Sequence, residues 1–404
     1  TLGLAALVSP AARWAREGLS LPPGVASRLA GVAGDIDPAS EVAHVFFSAD
    51  GAPLAAGDAL VQPDLGRILA DIGRKGAEAF YGGEVARRIA EDMAAHGGFV
   101  TEADLAGYQA AESEVGRGRF GHYEVLGSYL PASGVTVIEI LKILEGAELH
   151  GTDGSQTIAL VESLLAGFED REIARALPAR QAVAWLTSDS LARRRADEVV
   201  AKIRASSRDA AVPSDRTSAL ALDDGAEPAF TTHVSVADTF GNVVALTQSL
   251  GPMLGARVMT PGLGFLYAST MGGYLEGESP GYRPWSSQAP LILVREGRPA
   301  LVLGGAGSRR ILSAMVSTVD RTVRGGQNLA DAMKASRLHP SGTDVWVEEG
   351  WNVASLLEAA GYRAPFREPS YFARLNAVQI LLDGRFRGVG EPRWVQSSAG
   401  GPRR

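Results

Sequence analysis

AEPAFTTHVSVADTFGNVVALTQSLG, residues 226–251, leaves irregular polar sequence and turns abruptly into alternation at Thr231. The segments 231–238 and 241–249 both alternate with period two. The ADTFGN segment linking them carries the Asp and Gly–Asn residues of a tight turn, so the whole predicts a β-hairpin. Before it, ASSRDAAVPSDRTSALALDDGAEPAF (205–230) reads as an exposed connection with no periodic apolar face. Threonine favours strands, so one reading of Thr231–Thr232 is simply that a strand opens there.

A second reading is chemical. If the Phe230–Thr231 bond were cut, Thr231 would carry a hydroxyl nucleophile together with a free α-amine. That amine has an ordinary pKa of roughly 7.7–8.0 and can take the hydroxyl proton near neutral pH. β-Branching narrows χ1 and holds the hydroxyl in one direction. No histidine or lysine base is needed.

Working outward, the first 110 residues read as mostly helical. QPDLGRILADIGRKG and GEVARRIAEDMAAHGG are amphipathic and closed by glycine, and Thr101 caps TEADLAGY. GHYEVLGSYL reads as a strand; SGVTVIEILKILEG, SQTIALVESLLAGFEDREIARAL and TSDSLARRRADEVVAKIRA read as helices. Beyond the hairpin, APLILVREGRPALVLGG is strand, turn, strand, SRRILSAMVSTVDRTVRGG is a helix, and RLNAVQILLDGRFRGVG is a second hairpin. The texture thus divides near residue 230, helical before and strand-plus-helix after.

Composition narrows the functional classes. The 404 residues are 46% hydrophobic and 21% charged, the mix of a folded globular chain. A net charge of −7 without a dense Lys/Arg stripe argues against a nucleic-acid partner. No apolar run reaches the ~18 residues of a membrane span, and a leader pattern is absent at Thr1; the compartment is left open. With no cysteine, disulfides and thiol nucleophiles are excluded. None of the six histidines has metal-ligand spacing, and no cofactor is expected. VLGGAGSRRIL is a strand, a glycine turn and a helix start, whose free N–H groups make an anion cradle. Phosphate is a rival ligand for such a turn, but the Walker Gly-Lys-Ser/Thr ending is missing.

TTHVSVADTFGNVVALTQSL resembles the start of the small subunit in the γ-glutamyltransferase family of N-terminal-nucleophile (Ntn) hydrolases. The matching positions are Thr231, Thr232, His233, Ser235, Val236, Asp238, Gly241, Asn242, Val244, Leu246 and Thr247. RPWSSQAPLILV and LGGAGSRRI resemble two further family segments, and VQPDLGRILADIGRKGAEAFYGGEVA and GGFVTEADLAGYQA fit the large-subunit pattern. The resemblance implies an α+β fold, a four-layer αββα sandwich. It implies a large-subunit part, 1–230, and a small subunit, 231–404, made by cleavage between Phe230 and Thr231. It also implies a further N-terminal stretch, absent from this chain, that supplies sheet strands and a substrate-gripping arginine.

By the same resemblance, Thr231 is the nucleophile and Ser249 supplies a hydroxyl beside it, where the family has threonine. The backbone N–H groups of Gly307 and Ser308 form the oxyanion hole, with serine where the family has glycine. Ser286 and Ser287 hold a substrate carboxylate; a turn or capping role is the alternative for that pair. The substrate-ammonium readers do not match: their Asn, Gln and Asp positions are Gly251, Thr270 and Gly273 here. An ammonium buried without partners costs on the order of several kcal/mol, so a standard γ-glutamyl substrate is not expected. His233 is expected to pack or bond within the strand, and Arg283, Arg309 and Arg310 are either carboxylate partners or structural. The leading specific expectation is C–C hydrolysis beside a keto group of an alkylproline precursor, with amide acylase action close behind. A non-catalytic descendant that binds a small carboxylate is the rival from another class.

Overall fold

The computed structural model describes residues 2–129, 132–147, 153–206, 231–270, 281, 283–394 and 397–401. They form two compact units, one of Thr1–Glu112 with Leu250–Gly272 and one of Ser113–Ser249 with Gly273–Arg404. The connection expected at 205–230 lies, from residue 207 on, outside the described residues.

The first unit holds α1 (Leu4–Glu17), β1 (Leu19–Ser20), α2 (Pro23–Val32), α3 (Glu41–Phe46), β2 (Ala59–Leu60), α4 (Pro63–Lys75), α5 (Glu78–Tyr81), α6 (Gly83–Ala95) and α7 (Glu102–Gly107). Proline begins α2 and α4, where a missing N–H costs nothing. Thr101 and Asp104 exchange hydrogen bonds in the capping box that opens α7. The 250–270 segment is sewn to α4 and α6: Leu263 packs with Ile68, Val85 and Ile89, and the Thr260 hydroxyl donates to Asp92 at 2.6 Å.

The second unit begins with β3 (Val115–Phe120), β4 (Tyr123–Ser128), α8 (Gly134–Gly146), α9 (Asp153–Ala174), α10 (Ala179–Leu186), α11 (Asp189–Ser206), β5 (Thr231–Ala237) and β6 (Val243–Ser249). It continues with β7 (Leu291–Arg295), β8 (Arg298–Ala306), α12 (Arg310–Val323), α13 (Leu329–Lys334), β9 (Leu338–Ser341), β10 (Asp344–Glu348), α14 (Ala354–Ala359), β11 (Phe366–Arg367), β12 (Arg374–Ile380) and β13 (Phe386–Val389).

Six strands make one antiparallel sheet in the order β13-β12-β8-β7-β4-β3. Strand parity sorts its faces. Leu301 and Leu303 of β8 and Leu375 and Ala377 of β12 point to the helices and join one core with α8, α9 and α12. Gly304 and Asn376 point the other way, to the β5–β6 hairpin. Helix α8 is apolar on nearly all sides because it is buried on nearly all sides. The described residues of this unit therefore stack as helices, six-stranded sheet and hairpin, an α+β sandwich arrangement.

Strand β3 and helix α10 are among the elements that were not legible in the sequence. Strand β3, VGRGRF, carries glycines that read as turn signals. They are needed for close approach: a Cβ on Gly116 or Gly118 would sit 2.6 Å from Val135 or 2.3 Å from Ile138 of α8. Helix α10 is only eight residues long, too short for a clear period.

Candidate active site

Thr231 is the first residue of β5, paired with Ser249 at the end of β6. Its hydroxyl donates to that of Ser249 at 3.1 Å. Phe230 lies outside the described residues. Odd-numbered positions of both strands face the six-stranded sheet, so Thr231, His233, Ser235, Thr247 and Ser249 share one polar face.

His233 locks that face in place. The ring is 4% exposed, with Nδ1 2.7 Å from the Thr247 hydroxyl and Nε2 2.9 Å from the Ser235 hydroxyl. Ser235 gives its own proton to the Asn376 carbonyl at 3.2 Å. Nε2 is therefore assigned the imidazole proton, and Nδ1 accepts from Thr247. Burial pushes the His233 pKa down to about 4, so the ring is neutral at physiological pH. Asn376 also donates through Nδ2 to the His233 carbonyl at 3.1 Å. Below the ring, a Cβ on Gly304 would lie 2.3 Å from Cε1; only glycine leaves room. Asn376 went unnoticed in the sequence because it stands in no motif, and Gly304, although inside LGGAGSRRI, shows its steric role only against the distant His233.

At the end of β8 the chain turns through Gly307 and Ser308 into α12. Gly307 has φ 135° and Ser308 φ 55°, so the serine occupies the left-handed region that glycine favours. Their carbonyls are used, by Arg310 Nε and by the N–H of Ile311. Among the described residues, no hydrogen bond uses the N–H of Gly307 or Ser308. Two unengaged donors ahead of a helix are what an oxyanion requires. Arg309 pairs with Glu172 at 3.0 Å and Arg310 lies 4.4 Å from the Tyr371 ring centre, so both are engaged within the protein. Arg283 is exposed.

Ser286 and Ser287 precede β7 and are half-buried. The Ser286 hydroxyl accepts from the Gln288 N–H at 3.1 Å, and its carbonyl accepts from Ser133 at 2.6 Å. The hydroxyl proton of Ser286 remains available to an acceptor. Trp285 beside it packs edge-on to Tyr129 at 5.5 Å.

Gly251 and Thr270 belong to the first unit, and Gly273 lies outside the described residues. Gly251 has φ 88°, and a Cβ there would meet the Ser269 carbonyl oxygen at 2.9 Å. The loop is built for the absence of a side chain. Thr270 sits in an exposed turn. Among the described residues, no three metal-binding side chains cluster.

The family model for gamma-glutamyltranspeptidase matches residues 1–401. The chain belongs to that family. It is 34% identical over 404 residues to the Acylase ACY 1 proenzyme of Pseudomonas sp. (strain V22), covering 96% of this chain and 70% of that protein. It is 30% identical over 430 residues to the glutathione hydrolase proenzyme of Escherichia coli (strain K12), covering 99% and 72%. In fold it is similar to the cephalosporin acylase of Bacillus halodurans, with TM-score 0.83 and 23% identity over all of this chain and 75% of that one. It is also similar in fold to LmbA2991T421A, with TM-score 0.80 and 22% identity over all of this chain and 79% of that one. This member of the γ-glutamyltranspeptidase family is thus an enzyme of the Ntn-hydrolase or acylase kind, with an α+β sandwich fold.

Proposed function

We infer that this γ-glutamyltranspeptidase-family protein is a self-processing hydrolase with Thr231 as nucleophile. The observation that carries the reading is the Thr231–Ser249 hydroxyl pair, 3.1 Å apart, at the first residue of a strand. In maturation the Thr231 oxygen attacks the Phe230 carbonyl and the acyl group shifts from nitrogen to oxygen. Water then hydrolyses the ester, leaving a carboxylate on Phe230 and a free amine on Thr231. The products are pieces 1–230 and 231–404. In turnover the same oxygen forms an acyl-enzyme while the amine takes its proton, and the N–H groups of Gly307 and Ser308 receive the oxyanion.

Ser286 and Ser287 hold a carboxylate of a small substrate. Glycine at 251, a position where the family resemblance places an ammonium-reading amide, supports a substrate without a free α-ammonium. Amide deacylation is the first reading, supported by the 34% identity to a protein named as an acylase. Hydrolysis of a C–C bond beside a keto group is the second, because a ring nitrogen in an alkylproline precursor makes no demand for an ammonium reader.

The test is intact mass with N-terminal sequencing of wild type and Thr231→Ala. Two pieces for wild type, one beginning at Thr231, and an uncut mutant are expected. An uncut wild type would remove the Thr231 nucleophile and leave the small-carboxylate-binding reading. The processed protein is then assayed against N-acyl amides, 2-keto acids and a γ-glutamyl anilide. Robust anilide turnover would overturn the loss of ammonium recognition.

A further inference from the structure

The far end of the six-stranded sheet holds a cleft that the proposed chemistry does not use. Its volume is about 310 Å³, at the lower end of the range of small-molecule sites. It is walled by Leu301 of β8 and Val323 of α12, with Tyr123, Arg295, Gln379 and Asp383 among its polar groups. Six residues of extended β8 separate Leu301 from Gly307, roughly 20 Å at about 3.3 Å each. Helix α12 spans a similar length in the same sense, from the Gly307–Ser308 turn to Val323. The cleft and the oxyanion turn therefore lie at opposite ends of the same strand and helix.

Two of its groups are incompletely engaged. Gln379 Oε1 is buried and receives no hydrogen bond. A buried acceptor left without a donor is destabilising, so a donor arriving in the cleft recovers a hydrogen bond the fold forgoes. Arg295 donates only a long, 3.4 Å hydrogen bond to the Tyr123 hydroxyl and lies 5.7 Å from that ring's centre. Among the described residues its guanidinium has no carboxylate partner. Asp383, on the same cleft, is held by Arg385 at 2.7 Å and does not neutralise Arg295.

We propose that this cleft is a second binding site, for a small aliphatic carboxylate that also bears an O–H or N–H donor. The carboxylate pairs with Arg295, the donor satisfies Gln379 Oε1, and the aliphatic part lies on Leu301 and Val323. Arginine suits a carboxylate through its forked donors, and the volume admits an acid of amino-acid size.

The probe is 2-hydroxy-4-methylpentanoate, which has all three features and no amide to cleave. Calorimetric titration and saturation-transfer NMR on the full chain are expected to give saturable binding. Gln379→Leu and Arg295→Met should each weaken it about tenfold or more, and 4-methylpentanoate, lacking the donor, should bind correspondingly less. Binding should persist in Ser286→Ala/Ser287→Ala, which separates this cleft from the proposed substrate site. Gln379→Leu should melt no lower than wild type, since it removes an unsatisfied acceptor. Absence of saturable binding, binding indifferent to Gln379 and Arg295, or binding lost in the serine variant would overturn the proposal. Each readout is independent of cleavage at Thr231.

Discussion

At Gly304 a single methyl group decides whether the hairpin can sit on the sheet. The His233 ring occupies the space a Cβ would need, and backbone hydrogen bonds hold both strands. Gly304→Ala is expected to destabilise by about 1–3 kcal/mol, as over-packing does. It should also slow Thr231-dependent cleavage, because His233 lies two residues from Thr231 on the same face. Denaturant melts and the rate of fragment appearance check both. His233 itself sets an acid limit. Its folded pKa, about 4, lies below the ordinary histidine value, so the neutral ring stabilises the fold above about pH 6.5. That contribution is lost as pH falls toward 4, and amounts to about 3 kcal/mol in full. His233→Gln should flatten the stability profile between pH 6.5 and 4, read by thermal melts across that window.

At the level of the element, the hairpin faces opposite to what its alternation alone would lead one to expect. Alternating strands of a sandwich usually bury the apolar side. Here the polar side meets the sheet, while Val234, Val236, Val244 and Leu246 point outward, with Val244 and Leu246 each 51% exposed. The reason is the cargo of the inner face: its hydroxyls and imidazole bond to one another, Asn376 ties them to the sheet, and Gly304 leaves room for the ring. An apolar, twin-edged hairpin surface favours self-association. Val244→Thr with Leu246→Lys should lower light scattering of the 404-residue chain at high concentration. The melting temperature should stay within a few degrees, because surface changes move stability by about 0.5 kcal/mol or less.

Across the whole second unit, helix packing is governed by a buried acid as well as by apolar area. Glu139 of α8 is 0% exposed and lies beside the Asp170 carboxylate. Burial first, and then the neighbouring Asp170 carboxylate, push its pKa well above the usual range. Asp170 is itself paired with Arg195 of α11 in a bidentate contact, and Arg195 and Lys142 offset only part of the rise at Glu139. The sign is opposite to that of His233. A raised acid stabilises fully below its unfolded pKa, and that stability is lost as pH rises. Glu139→Gln is therefore expected to raise the melting temperature increasingly as pH rises from about 4.5, with little effect near pH 4. A difference between variant and wild type that does not grow with pH would contradict this.

Most elements were legible because each carries its own period: helices α4, α6, α8, α9, α11 and α12, and the hairpins β5–β6, β7–β8 and β12–β13, stand where the residues pointed. The Thr231 motif and the glycine turn after β8 were legible for the same reason, since each is contiguous in sequence. Strand β3 was not, because its glycines answer to α8 rather than to a turn. Nor was the pin that Asn376 drives into the hairpin from 143 residues away. Alternation by itself determined that residues 231–249 form two strands with one polar and one apolar face. Only the tertiary structure decided which face turns inward, because that choice depends on free space at Gly304 and on hydrogen-bond partners at Asn376, neither of which is local.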